Sequence, residues 1–598
     1  MPSDSPKRIY GFGPFQIDLD RYLLMRDGKL VPLSPKVFET LIFLIENRGS
    51  VVKKDDIMSR VWPDTFVEES NLAQNIFLLR KALGEEKTEH RYIITIPGVG
   101  YRFVATVVES FTTASKKLPA PEPATTVDSV RSIAVLPFKN LVKENDDEFL
   151  GPGIADALIM RLSSIRRLKV RPTTAVLKYS DLIHDPLAIG RELNVDALLD
   201  GVYQRIGEQI RVSVQLVSVT NGLTLWATRF DENFTNIFAI QDSISEQVVR
   251  SLELKLSGDE RNQLAKNYTD NAEVFHLYIK GRYFWNQRSI EGIKKGLEYA
   301  QQAIAIDPTY APAYVGLADS YNLLGGQHCV LPPRESFPKA RGAVLRALEI
   351  DERMAEAYAS LAFINCCLEW DWPTAEQNYQ KAIALKPNYP TAHHWYGELL
   401  ITAGRFDEGL VQLRMAQELD PLSLAINADL AAAFYYARQY DRSENQLENL
   451  LDLNSNFVRA RVILGKVWAQ KGEYTKAIEM LRSAVGLSGD DPVTLCALAH
   501  VLALAKQSRE ANEILDDLQR SRKRRYISAG NIATIYIGLD KKELAFDWLE
   551  KAYQNTDVEV VWLKVSPVFD PLRSDPRFTK LLERISSSLS TDYADSYD

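Results

Sequence analysis

The 598-residue sequence has few cysteines and no long apolar run. No CxxC spacing occurs among its four cysteines, which argues against a secreted disulfide scaffold and fits a reducing compartment. The N-terminal residues MPSDSPKRIY lack the apolar core of a signal peptide. No window approaches the roughly 18 apolar residues that a membrane helix needs. These absences predict a cytoplasmic protein that makes no use of a membrane.

Short catalytic motifs are also missing from the sequence. It contains no GxSxG or HExxH motif, and the glycine-rich stretch GPGIADAL (151–158) lacks the GxxxxGK[ST] pattern of a phosphate-binding loop. His393 and His394 are adjacent, so on a helix they point about 100° apart, and no third ligand is spaced with them. We therefore predict no enzyme activity, no catalytic residue, no metal site and no cofactor.

The sequence also lacks a large excess of positive or negative charge. The formal net charge of -8 is mild for this length, and the composition, 46% hydrophobic and 25% charged, is that of a folded soluble protein. The length is too great for one hydrophobic core. The sequence therefore predicts several domains, of which none is strongly basic.

Residues 9–106 are predicted to form the first of these domains. The stretch IYGFGPFQIDLDRYLLMRDGKLVPLS alternates apolar and polar residues, which is typical of short antiparallel strands. PKVFETLIFLIENRG has a helical period, KKDDIMSRVW is a second short helix, and EESNLAQNIFLLRKALG a third. HRYIITIPGVGYRFVATV closes the domain as a β-hairpin.

The third helix, residues 68–84, has two different faces. On a period of 3.6 residues, four aliphatic side chains form one stripe that must face the core: Leu72, Ile76, Leu79 and Leu83. Other positions point elsewhere, namely Ser70, Asn71, Gln74, Asn75 and Leu78, and Arg80 and Lys81 lie near the C-terminal end. Amide side chains suit bidentate pairing with a base edge, and cationic ones can neutralise phosphates. A merely solvated polar face is the alternative interpretation.

The order of elements resembles a winged helix-turn-helix of the OmpR/PhoB type. The residues that carry the resemblance are LSPKVFETLIFLIENRGSVVKKDDIMSRVW, NIFLLRKALG and IPGVGYRF. It implies that the third helix enters the major groove of double-stranded DNA and that the hairpin, or wing, reaches the minor groove. The match places Asn71, Gln74, Asn75 and Leu78 at base-facing positions, and Arg80, Tyr101 and Arg102 on the backbone or wing side.

Two further features follow from this resemblance. The loop 62–70 (WPDTFVEES) matches the segment through which some relatives contact RNA polymerase. Pro97 at the wing tip and Leu78 on the third helix stand where relatives often have Arg, and the proline variant occurs in the CadC-like branch. Fewer cationic contacts imply weak binding by a monomer, so we expect a homodimer or tandem DNA sites.

Two regions follow the winged helix. Residues 110–130 (SFTTASKKLPAPEPATTVDSV) are rich in Pro, Ala, Thr and Ser, which is typical of a flexible linker. In 131–257, the apolar run SIAVLPF, two helical stretches and an alternating meander predict a small α/β domain. The residues RSIAVLPFKNL, FLGPGIADALIMRLSSI and ELNVDALLDGVY resemble the TolB-like N-terminal domain.

Residues 270–585 are helical and repetitive. Small residues recur near a 34-residue period at Gly281, Ala318, Ala362, Gly397, Ala431, Gly465, Ala499 and Ala533. Small residues at fixed offsets let the two helices of a hairpin cross closely, and the pattern resembles the tetratricopeptide repeat. The resemblance implies an α-solenoid with a face for a protein or peptide partner.

The predicted protein is therefore multidomain, with α+β and all-α parts: a winged helix, a small α/β TolB-like domain and an α-solenoid of repeats. Its predicted function is sequence-specific transcriptional regulation in the cytoplasm, controlled by a partner or ligand bound to 131–585. The alternative is a non-catalytic interaction scaffold in which the winged helix docks protein instead of DNA.

Overall fold

The computed structural model of the protein divides into two compact units, Met1–Asp128 and Ser129–Asp598. The residues that it describes are 7–18, 23–26, 29–31, 35–61, 69–85, 91–96, 98–112, 130–141, 149–180, 185–234, 237–252, 254, 256–264, 269, 271–286, 288–326 and 328–587. Within them, no helix is both long enough and apolar enough to cross a membrane.

An antiparallel sheet opens the first unit. Its strands are β1 (Lys7–Phe12), β2 (Phe15–Asp18), β3 (Leu23–Arg26), β4 (Lys29–Val31) and, from the end of the unit, β8 (Val108–Thr112). Among the described strands the order is β4–β3–β2–β1–β8. Because β8 pairs with β1, residues 110–112 belong to the sheet, although the sequence predicts a linker there. Residues 113–129 of that linker lie outside the described part.

Three helices and a second sheet complete the first unit. The helices are α1 (Pro35–Glu46), α2 (Lys54–Val61) and α3 (Glu69–Leu83). The strands are β5 (Val52–Lys53), β6 (Ile93–Ile96) and β7 (Gly100–Phe103), in the order β5–β7–β6. Gly100 is required at the junction of β7 with β5, since an added Cβ would lie 1.9 Å from the Val52 carbonyl oxygen.

The α/β part of the second unit is built on a mixed sheet. Its strands are β9 (Ser132–Val135), β10 (Lys139–Asn140), β11 (Lys169–Val170), β12 (Ala197–Ile206), β13 (Gln209–Ser218) and β14 (Thr224–Asn233). The described strands run in the order β11–β9–β12–β13–β14, and β10 also pairs with β12. Strand β9 pairs in parallel with β11 and β12, and β10 pairs in parallel with β12, whereas β12, β13 and β14 form an antiparallel meander.

Helices cover this sheet and are followed by the repeat array. The α/β part contains α4 (Leu150–Leu162), α5 (Thr173–Val176), α6 (Pro186–Glu192), α7 (Ile237–Ser251) and α8 (Gly258–Leu264). The buried run Ile133, Ala134 and Val135 of β9 packs against Leu158 of α4 in one apolar core. A strand buried on both faces needs such an uninterrupted apolar stretch.

The array consists of helices that pack in consecutive pairs. They are α9 (Ala272–Asn286), α10 (Ile290–Ile306), α11 (Ala311–Gly325), α12 (Pro333–Ile350), α13 (Ala355–Ile364), α14 (Trp372–Leu385), α15 (Pro390–Thr402), α16 (Phe406–Leu419), α17 (Leu424–Tyr436), α18 (Tyr440–Leu453), α19 (Val458–Gln470), α20 (Tyr474–Ser488), α21 (Pro492–Leu504), α22 (Ser508–Ser521), α23 (Ala529–Gly538), α24 (Lys542–Gln554) and α25 (Pro576–Ser587).

Small residues let the paired helices approach, as the sequence predicts. A Cβ added at Gly397 of α15 would lie 3.0 Å from the carbonyl oxygen of Gly409 of α16, and one added at Gly409 would lie 2.9 Å from that of Gly397. Ala431, Ala499 and Ala533 are fully buried. Larger side chains at these positions would force the helices of a pair apart.

Candidate nucleic-acid interface and regulatory region

One face of α3 is fixed in the core of the first unit. Leu72, Ile76, Leu79 and Leu83 are at most 2% exposed and pack in one apolar cluster with Leu41 and Ile45 of α1. The predicted buried stripe is thereby confirmed. Burying an aliphatic side chain of this size contributes about 1.5–3 kcal/mol, so the helix cannot roll without a large loss of stability.

Asn75 lies at the edge of this stripe and not on the exposed face. Its side chain is 9% exposed, and Nδ2 donates a hydrogen bond to Oγ1 of Thr40, 3.3 Å away. Position 75 is three residues after Leu72 and four before Leu79, so it projects to the same side as both. In this structure Asn75 therefore joins α3 to α1, and its predicted contact with a base stays a prediction.

Arg80 ties α3 to the hairpin. Its Nη2 donates to the carbonyl oxygen of Ile93 at 3.0 Å and to Oγ1 of Thr95 at 2.9 Å. Both acceptors lie on β6, the first strand of the wing. The guanidinium thus holds α3 and the wing, the two elements that are expected to contact DNA, in a fixed mutual orientation. This role is separate from the predicted contact of Arg80 with the DNA backbone.

The two predicted residues of β7 differ in their surroundings. Tyr101 is 6% exposed and belongs to the same apolar cluster as α3, so it packs inside the unit and does not face solvent. Arg102 is half-buried beside it, opposite Ile94 of β6. Among the described residues, Nε of Arg102 has no hydrogen-bond partner.

Several predicted side chains fall outside the part that the structure describes. Helix α3 includes positions 70, 71, 74, 78 and 81, but the side chains there are not described: Ser70, Asn71, Gln74, Leu78 and Lys81. Residues 62–68 of the predicted polymerase-contacting loop lie outside as well. These predictions stay predictions.

Phe77 is an exposed residue of α3 that the sequence reasoning did not single out. Its side chain is 50% exposed, which is unusual for a large aromatic residue. The signal was available, because position 77 directly follows Ile76 of the buried stripe, and adjacent positions on a helix point about 100° apart. The exposed face of α3 is thus partly apolar.

In the second unit, the α/β part is joined to the array by polar side chains. Arg171 donates to the carbonyl oxygens of Leu193, 2.8 Å away, and of Leu419 at the end of α16, 3.1 Å away. Asn388, between α14 and α15, donates to the Leu168 carbonyl oxygen at 2.9 Å. Because these donors satisfy backbone acceptors on both sides, the α/β part and the repeats form one body.

The chain also folds back onto its own repeats near its C-terminal end. We call residues 558–572, which contain the 3-10 turns Val558–Trp562 and Pro567–Leu572, the return segment. Trp562 stacks on Tyr436 of α17 with ring centroids 4.6 Å apart and an interplanar angle of 17°. Lys564 Nζ donates to the Ala403 carbonyl oxygen at 2.8 Å.

Arg438 makes two polar contacts to the return segment. Its Nη2 lies 2.8 Å from Oδ1 of Asp570, and its Nη1 donates to the Val565 carbonyl oxygen. The part of the array surface near Tyr436 and Ala403 is therefore covered by the return segment.

A buried polar cluster lies beside the return segment. His394 Nε2 contacts Oδ2 of Asp429 at 2.9 Å, Arg459 pairs with the same carboxylate, and Glu398 lies close by. Burial and the charge of Asp429 raise the pKa of Glu398 to about 7. Ligand atoms of His394, Glu398 and Asp429 lie within 4.8 Å of one another, but a cation there would compete with the guanidinium of Arg459.

Comparison with known proteins assigns families to three parts of the chain. Residues 28–103 match the family described as Transcriptional regulatory protein, C terminal. Residues 129–247 match the HilA/YgeH-like transcriptional regulator, second domain, and residues 428–492 match the Tetratricopeptide repeat. The TolB-like resemblance of 131–257 stays a prediction.

Three curated proteins illustrate these similarities. Transcriptional regulator HilA of Salmonella typhimurium is 27% identical over 446 residues, which cover 73% of this chain and 76% of HilA. Transcriptional activator CadC of Escherichia coli is 20% identical over 366 residues, 50% of this chain and 71% of CadC. Putative adenylate cyclase 3 of Rhizobium meliloti is 27% identical over 256 residues, 42% of each chain.

The winged helix and these matches define the class: the protein is a DNA-binding transcriptional regulator. Its DNA-binding domain is of the OmpR/PhoB type, and it carries tetratricopeptide repeats, as the sequence predicts. Its middle region is similar to the second domain of HilA-like regulators.

Proposed function

We propose that this regulator reads a specific sequence of double-stranded DNA through α3 and that binding to its second unit controls the output. The observation that supports the reading role is the tie between Arg80 and the β6 strand, 3.0 and 2.9 Å from its two acceptors. A helix anchored in the core and fixed to the wing presents its outer face as one rigid surface, which groove recognition requires.

The proposed base-reading surface rests on the winged-helix match. Ser70, Asn71, Gln74 and Leu78 remain candidates from the winged-helix match, and the exposed Phe77 joins them. An apolar side chain in the major groove contacts the methyl group of thymine. Lys81 and Arg102 are proposed to contact phosphates, which position the protein without reading sequence.

Further partners belong to the same proposal. In it, RNA polymerase contacts the loop 62–70. Two copies of this chain bind adjacent DNA sites. The protein acts in the cytoplasm, as a regulator and not as an enzyme. A protein partner at the Tyr436 surface would have to displace the return segment, because Trp562 and Asp570 already occupy it. The control step is thus a competition or a ligand-dependent change within the second unit.

A gel-shift experiment with genomic fragments tests the reading role. The full chain is expected to retain particular fragments with a Kd of about 10⁻⁸ M or tighter at physiological salt, well below its Kd for random DNA. Equal retention of all fragments would contradict sequence-specific reading. No retention at all would favour the interaction scaffold, in which the winged helix docks protein.

A further inference from the structure

A cavity of about 340 Å³ lies in the second unit between the α/β part and the first repeats. Its walls come from α4, α7 and the 257–263 region on one side, and from α9, Tyr310, the start of α13 and the end of α14 on the other. A volume of this size is at the lower end of the range for small-molecule sites in proteins.

One wall of the cavity is aromatic and apolar. Tyr278 and Tyr310 meet edge to face with ring centroids 5.3 Å apart, and Phe275 and Met354 lie beside them. The hydroxyl of Tyr278 is directed to the sulfur of Met160, 3.1 Å away. Flat apolar groups pack well against such edges and faces.

The polar lining carries an excess of positive charge. Arg161, Arg166, Arg353 and Lys386 line the cavity, against only Glu260 and Glu356. Both acids already have partners: Glu356 pairs with Lys386 at 2.8 Å, and Glu260 accepts the backbone N–H groups of Ser257 and Arg166.

Arg161 is the most enclosed of these cations. It pairs with Asp242 of α7, and burial lowers its pKa to about 10, so it still carries its charge at neutral pH. The charge of Arg161 is balanced by that of Asp242. The excess positive charge of the lining lies on Arg166 and Arg353, which are exposed at the rim and favour an anion over a neutral molecule or an amine.

Gln241 of α7 adds an independent sign of a ligand. It lines the cavity, its side chain is 1% exposed, and among the described residues its Nε2 has no hydrogen-bond partner. A buried donor without an acceptor costs about 1–3 kcal/mol, so such groups are retained mainly where something accepts the hydrogen bond.

We infer that this cavity binds a small organic anion with a flat apolar body, such as an aromatic carboxylate. Its acid group faces the cationic lining and accepts from Nε2 of Gln241 once that covered amide turns towards the cavity, while its body packs against Tyr278 and Tyr310. The inference rests on the proposed function, in which binding to the second unit controls the output of the regulator, and it names the class of ligand that binds there. Such a ligand would bridge α7 and the first repeats.

Calorimetric titration of the full chain with 1-naphthoate tests the inference. We expect one site per chain, with binding at least about tenfold tighter than that of the neutral, nearly isosteric 1-naphthamide. Equal binding of acid and amide, or no saturable binding of the acid, would overturn it.

Two variants locate the site. Gln241→Leu removes an unpaired buried donor, so folding should be retained, while naphthoate binding should weaken at least about tenfold. Met160→Trp should fill the cavity and abolish binding. Arg509→Gln, in which the replaced side chain is 94% exposed, is the control and should bind as the parent does. Unchanged binding by both cavity variants would show that naphthoate binds elsewhere on the chain and would overturn the inference.

Gel shifts on the same samples separate this inference from the proposed function. Naphthoate binding that leaves specific DNA retention unchanged would support the site and contradict ligand control. A chain that retains DNA specifically but binds no naphthoate would overturn the cavity inference alone.

Discussion

Asn75 and Thr40 are joined by a hydrogen bond of 3.3 Å between α3 and α1. Replacing Asn75 by Ala should therefore lower the free energy of unfolding of the first unit by about 1–2 kcal/mol, because a buried hydrogen bond is lost. Chemical denaturation measures this change. The sequence preference of the DNA-bound protein should stay the same.

Gln74→Ala is the matched control, since it removes a neighbouring amide for which the winged-helix match predicts a base-facing position. It should leave stability within about 0.5 kcal/mol of the parent and relax the preference at one base pair. If Asn75→Ala relaxed base preference without loss of stability, the core assignment of Asn75 would be wrong.

Arg80 should prove to be a residue that positions the wing. Arg80→Lys retains the charge but not the two-acceptor geometry to Ile93 and Thr95. We expect it to weaken binding to all DNA sequences alike, with little change in the salt dependence. Arg80→Ala should also flatten the slope of log K against log salt by about one unit if the charge reaches a phosphate.

Both Arg80 variants need gel shifts at several salt concentrations. A lysine variant that binds as tightly as the parent would show that charge alone matters at this position.

Trp562 should hold the return segment against the array. Trp562→Ala removes the ring stacked on Tyr436. Aromatic pairs contribute about 0.5–1.5 kcal/mol beyond their buried area, so the segment should open more often. Limited proteolysis should then cleave within 558–572 several times faster than in the parent.

Trp548→Ala provides the comparison. Trp548 is 9% exposed and stacks on Tyr536, but both residues belong to the same pair of helices, α23 and α24. It should lower stability without selective cleavage of the return segment. Identical cleavage patterns in the two variants would contradict the role of Trp562.

Glu398 makes stability depend on pH. Its pKa is about 7 in the folded protein, because of burial and the charge of Asp429, and about 4.3 in an unfolded chain. The folded state therefore binds the extra proton between these values, and this stabilising contribution is lost as pH rises through 7. His394 and Arg459 face the same carboxyl and reduce the effect without reversing it.

Glu398→Gln removes this titration. The variant should be more stable than the parent at pH 8, and the difference should shrink towards pH 5 in chemical denaturation experiments. Asp452→Asn, on helix α18, is a suitable control whose difference from the parent should not follow this trend. A Glu398→Gln difference independent of pH would show that the carboxyl does not titrate near 7.

Local periodicity sufficed for the elements that decide the class of protein. The stripe Leu72, Ile76, Leu79 and Leu83 is buried as its spacing predicts, and small residues such as Gly397 and Gly409 lie where helices cross. These features depend on neighbours a few residues or one repeat away. A single sequence shows such relationships directly.

Other features depend on partners that are distant in the sequence. Asn75 belongs to the core only because Thr40 of α1 lies opposite, and β8 extends to Thr112 only because β1 offers its edge. The contacts of Arg438 with Val565 and Asp570, and the cavity around Gln241, have no local signature. Tertiary context decided each of these cases.

The return segment also changes how the array is expected to fold. In a simple repeat protein each hairpin touches only its neighbours, so unfolding can start at one end and proceed stepwise. Here Ala403 and Arg438 bond to residues 564–570, well over a hundred positions later. A ribosome-bound chain that has not yet reached Asp570 lacks this closure, so the interior hairpins gain their full cooperativity only after residues 564–570 have been made.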